Sequence, residues 1–119
     1  SVLSTITRLE VGARMSEACI FNGVVYLAGQ VAGDPSVDVV GQTQQVLASI
    51  DRLLAQAGSD KSRILSAQIF LADIADFSKM NSVWDNWVVP GATPARATVQ
   101  AAMAAPAYKV EIKVIAARA

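Results

Sequence analysis

Histidine is absent from this sequence. That excludes Ser-His-Asp and Cys-His catalysis, histidine metal sites and an imidazole proton shuttle. Acid–base work must fall to carboxylates, tyrosine, lysine or positioned water. Cysteine is nearly absent: Cys19 stands alone, so the chain has neither a disulfide framework nor a paired-cysteine metal motif. Its apolar neighbours favour a buried reduced thiol over a nucleophile. Charge is scarce and balanced, with 10 lysines plus arginines against 10 aspartates plus glutamates. No basic run exists to displace the counterions of a nucleic acid. Long apolar runs are missing too, since none approaches the roughly 20 residues that span a bilayer. The N-terminus lacks the charged-then-apolar pattern of a secretory leader. The expectation is a soluble cytoplasmic protein with neither a nucleic acid nor a membrane as partner.

What is present is mostly apolar: 53% of the 119 residues are hydrophobic, with a mean hydropathy of +0.39. Residues 1–119 are read as a single domain with a modest core. The apolar surplus over what so small a domain hides is expected to go into subunit contacts.

The pattern along the chain is strand, strand, strand, helix, strand, helix, strand, strand. Thr5 to Val11 reads as a first strand. Glu17–Phe21 and Val24–Ala28 form a hairpin closed by Asn22-Gly23, a dipeptide suited to the positive φ angles of a type I′ turn. Asp38 can cap a helix from Val39 to about Ala57, which Gly58 stops. Its apolar positions Val39, Val46, Leu47, Ile50, Leu53 and Leu54 face inward, with Gln42, Gln45, Ser49 and Arg52 largely opposite. Ile64–Leu71 is a strand with Leu65, Ala67, Ile69 and Leu71 on one face. A second helix, about Ala75–Val89, has Phe77, Met80, Trp84, Trp87 and Val88 as its inward stripe and ends at Pro90-Gly91. This order suits an α+β fold: a mixed β-sheet with two helices packed on one face.

The last two strands carry the candidate chemistry. From Pro94 onward, alternation puts Arg96, Thr98 and Gln100 on one face and Ala97, Val99 and Ala101 on the core side. From Tyr108 to Ala117, Tyr108, Val110, Ile112 and Val114 oppose Lys109, Glu111 and Lys113. Arg96, just after a Gly-Ala-Thr-Pro-Ala loop, is a ready fork for a carboxylate, or else an ordinary ion-pair partner. Glu111 is either a working carboxylate or a solvated charge between lysines. Gly29 permits close approach of the backbone to whatever lies above it, or is a plain strand-end glycine. Asn81 can cap a loop or reach the site.

Pro94-Ala95-Arg96 and Lys109-Val110-Glu111-Ile112 through Ile115-Ala116 resemble the C-terminal signature of the RidA/YjgF/UK114 family of small imine deaminases. The resemblance extends to Asn22–Gln30, Ile69–Asp73, Asp76-Phe77 and Asn81. Through Arg14-Met15-Ser16 and Trp84–Val89 it points to the YoaB-like branch. It implies a chorismate-mutase-like fold, a homotrimer with clefts between adjacent subunits, and a small-molecule substrate bearing a carboxylate. It also implies hydrolysis of 2-imino acids or enamines of the 2-aminoacrylate type to 2-keto acids and ammonia, without metal or organic cofactor. Arg96 would then hold the carboxylate, Glu111 would activate water, and Gly29, Asn81, Met15 and Thr98 would line the substrate. Met15 stands where many members have tyrosine, and Thr98 where many have cysteine. The alternative from another class is a non-catalytic keto-acid or small-carboxylate sensor. Ribonuclease activity, also attached to the family, is opposed by the zero net charge and absent histidine.

Overall fold

The computed structural model describes residues 5–119. Its strands are β1 (Thr7–Val11), β2 (Ser16–Phe21), β3 (Val24–Leu27), β4 (Ile64–Leu71), β5 (Ala95–Gln100) and β6 (Val110–Ala117). Two helices, α1 (Val39–Gln56) and α2 (Phe77–Trp87), lie between β3 and β4 and between β4 and β5. The strands form one mixed sheet in the order β1-β2-β3-β6-β4-β5.

Local chemistry accounts for most boundaries. Asn22 and Gly23 take φ values of 52° and 75°, as the tight β2–β3 turn requires. The Asp38 carboxylate accepts the Gly41 amide at 2.9 Å and caps α1, while Gly58 leaves the helix end at φ 80°. The second helix begins later than its pattern suggests, because Ile74–Asp76 forms a 3₁₀ turn in which Asp73 accepts the Ala75 amide.

Topology decides where the helices sit. Strands β4 and β5 are parallel, and β6 runs antiparallel to both β3 and β4, so β3, β4 and β5 share one direction. Both crossovers therefore advance the same way across the sheet. With a common hand, they place both helices on one face. There Ile50, Leu53 and Leu54 of α1 and Met80 and Trp84 of α2 bury against Val25, Leu27, Ile69, Leu71, Ile112 and Val114. Among the described residues no helix covers the opposite face, and Tyr26 and Val99 are exposed on it. Among the described residues no helix is long and apolar enough to cross a membrane.

Three further expectations change. The register slips between Ile64 and Ser66, so a bulge puts Ile64 inward and leaves Leu65 53% exposed. Strand β6 starts at Val110, leaving Tyr108 in the preceding turn. Gln42, expected on the polar side of α1, is fully buried. Its spacing from Val39 and Val46 already places it in the apolar stripe, and its hydrogen bonds explain why a polar group is tolerated there. The side-chain amide donates to Pro35 O (3.1 Å), Val37 O (3.1 Å) and Ala107 O (3.0 Å) and accepts from Lys109 N (2.9 Å). Gln42 thus ties the loop before α1 to the entrance of β6. Gln42→Leu, similar in volume but unable to satisfy these groups, should destabilise the fold by about 2–4 kcal/mol, read as a lower denaturation midpoint at unchanged m-value.

Candidate active site

Arg96 is the second residue of β5, an edge strand. It pairs with Ala67 of β4, and Thr98 pairs with Ile69. Both β4 partners belong to the helix-covered core, so Arg96 and Thr98 point toward α2. Ala97 and Val99 face the uncovered side instead, and Val99 is 48% exposed. The expected core face of β5 is therefore reversed, because an edge strand takes its inward side from the neighbouring strand and helix rather than from its own apolar residues.

The Arg96 guanidinium lies in a receptor built by α2. Nη1 donates to Asn81 Oδ1 at 2.7 Å, and Cζ stands 5.3 Å from the Trp84 ring centroid and 5.8 Å from that of Phe77. Positions 77, 81 and 84 are one and two turns apart and share a helix face. Phe77, expected inside, is 41% exposed: it sits at the start of α2, beyond the core, with its ring beside the cation. Among the described residues the one ion pair joins Glu10 to Arg52. Arg96 is thus a half-buried cation without a counter-charge, and most of its five donors remain free. Thr98 lies beside it, but its hydroxyl is shielded from solvent and has no partner.

Glu111 of β6 lies opposite Phe70 on the uncovered face. Gly29 adjoins it so closely that a Cβ at this position would collide with Glu111 Oε2 and stand 2.9 Å from Cδ. Only glycine lets the carboxylate rest there. The next residue, Gln30, brackets Ile112 with reciprocal backbone hydrogen bonds of 2.9 and 3.1 Å. Its side chain donates to Glu17 at 2.8 Å. Glu17 lines an open depression of about 590 Å³ with Met15, Arg14 and Glu10, and its carbonyl accepts the Ala28 amide. Met15, Gly29 and Glu111 therefore gather at one end of the sheet. Sequence spacing does not single out Glu17 and Gln30, since their pairing spans a hairpin. Among the described residues no lysine makes an ion pair with Glu111, so the direct pairing with Lys109 or Lys113 open to it in sequence is not formed. Cys19, expected to be buried, is a free and half-buried thiol.

The candidate residues fall into two groups: Arg96, Asn81 and Thr98 on the helix side of β5, and Glu111 with Gly29 on the far side of the sheet, Met15 lying in the loop at the same end. Glu111 and Arg96 lie two strands apart and three residues along, about 14 Å between Cα atoms, on opposite faces. Within one chain the two groups cannot grip one small molecule.

The sequence profile of the family described as Endoribonuclease L-PSP matches residues 5–118. The chain belongs to that family. The fold is that of a YjgF-family protein from Neisseria meningitidis, whose crystal structure superposes with a TM-score of 0.96 at 44% identity, covering 98% of each chain. The RutC family protein YoaB of Escherichia coli is 50% identical over 113 residues, covering 95% of this chain and 98% of its own. A 2-iminobutanoate/2-iminopropanoate deaminase from Capra hircus is 35% identical over 107 residues, covering 85% of this chain and 77% of its own. Family and fold thus agree with the RidA/YjgF resemblance of the sequence, including its YoaB-like features.

Proposed function

We propose that this protein hydrolyses 2-imino acids, or the enamines in equilibrium with them, to 2-keto acids and ammonia at a cleft completed by a neighbouring copy in a homotrimer. The observation that carries the reading is the unpaired Arg96 guanidinium, fixed by Asn81 and two aromatic rings and lacking any carboxylate of its own. A substrate carboxylate is the natural counter-charge, and a planar fork binds it in two parallel hydrogen bonds. Glu111, over Gly29 and without an ion pair among the described residues, supplies the second function. It takes a proton from the attacking water and passes it to the imine nitrogen as the carbinolamine forms, then carries the hydroxyl proton to the same nitrogen as the C–N bond breaks. The water oxygen becomes the keto oxygen, and both water hydrogens leave on ammonia. The deaminase named among the relatives supports the reaction class. The uncovered, partly apolar sheet face, with Tyr26 and Val99 exposed on it, supports assembly.

The separation of Arg96 and Glu111 within one chain keeps a second reading in view: a carboxylate-binding protein without turnover. One preparation tests both. Light scattering should give about three times the 12.5 kDa chain mass. An imino acid generated in situ should release keto acid faster than the spontaneous rate. Stoichiometric keto-acid binding with no acceleration would establish the second reading, and a stable monomer at micromolar concentration would remove the shared cleft.

A further inference from the structure

We propose that Asn81 is a positioning residue whose neutrality keeps the charge of Arg96 available to a ligand carboxylate. This deepens the reading of Arg96 as the carboxylate anchor and rests on it. A half-buried guanidinium is ordinarily answered by aspartate or glutamate. Here the acceptor 2.7 Å from Nη1 is an amide oxygen, while Trp84 and Phe77 present ring faces rather than anions. Rings and amide fix the guanidinium without cancelling its charge. The arrangement resembles a salt bridge with its anion replaced by a neutral atom in the same place.

Aspartate at this position would have nearly the same shape. It would complete the ion pair with a charge-assisted hydrogen bond stronger than the amide's. A ligand carboxylate would then have to share one cation with a resident anion, an unfavourable like-charge approach. The choice between amide and carboxylate at one atom therefore separates an anchor from a structural ion pair. A merely structural Asn81 makes the opposite forecast, because strengthening its bond to Arg96 would leave the site at least as good as before.

The test measures pyruvate binding by calorimetry, with turnover, thermal midpoint and assembly mass, on the wild type, Arg96→Ala, Asn81→Asp and Asn81→Gln. Asn81→Asp should melt no lower than the wild type yet bind pyruvate about 10- to 100-fold more weakly, with KM raised more than kcat is lowered. Asn81→Gln, which keeps a neutral acceptor on a longer arm, should bind within a few fold of the wild type. Pyruvate affinity in Asn81→Asp within twofold of the wild type, with binding lost in Arg96→Ala, would overturn this proposal and leave the anchor standing. Undiminished binding in Arg96→Ala would overturn the anchor and this proposal together. If Asn81→Asp does not assemble, Asn81→Gln decides: a loss as large as that of Arg96→Ala overturns the role given to neutrality.

Discussion

Glu111→Gln should cut the turnover of an imino acid by roughly 10²–10⁴-fold, the usual worth of a general base, while keto-acid affinity stays within a few fold. Glutamine preserves shape and some hydrogen bonding but cannot take a proton from water. Among the described residues the carboxylate makes no ion pair, so its removal orphans no cation there, and stability and assembly should barely change. Gly29→Ala supplies an independent arm. Its new Cβ would meet the Glu111 carboxyl group, so the variant should lose much of the same activity while keeping the chemical group. Near-normal turnover in Glu111→Gln, measured per folded chain alongside pyruvate binding, would sink the catalytic role and favour the carboxylate-binding reading.

Arg96→Lys should lower catalytic efficiency by about 1.5–3 kcal/mol, or roughly 10- to 150-fold. Lysine keeps the charge but not the plane that lies near Trp84 and Phe77, and it cannot donate to Asn81 and both carboxylate oxygens with the same fixed geometry. The loss should appear mainly in KM and in keto-acid affinity, because the proposed role of Arg96 is to hold the substrate rather than to move a proton. Wild-type efficiency in the lysine variant would show that a point charge suffices and that bidentate recognition is the wrong account.

Sequence-local rules reached the elements whose causes are themselves local. The Asn22-Gly23 turn, the Asp38 cap, the stop at Gly58 and the span Ile64–Leu71 all depend on a few neighbouring residues, and each is found in the fold. Family identity was legible for a related reason, because Pro94-Ala95-Arg96 and Lys109–Ile112 preserve residue types at fixed places along the chain. The period of their own segment predicts one face for Leu65, Phe77, Ala97 and Val99, whereas the face that is buried depends on a partner. Gln42 differs, since its spacing points inward and only its polarity argues against burial. A bulge against β6 turned Leu65 outward, and the edge position of β5 turned Arg96 toward α2. Three carbonyls and an amide brought in from distant loops made the core hospitable to Gln42.

The sequence by itself determined the order of elements, the residue types available for chemistry and the exclusion of histidine-based mechanisms. Tertiary structure alone decided that Asn81, Trp84 and Phe77 close around Arg96, that Gly29 makes room for Glu111, and that these two groups face away from each other. Composition and short-range spacing act through neighbours along the chain, while the charge state, shielding and reach of a site residue are set by atoms that only strand pairing and helix packing bring near.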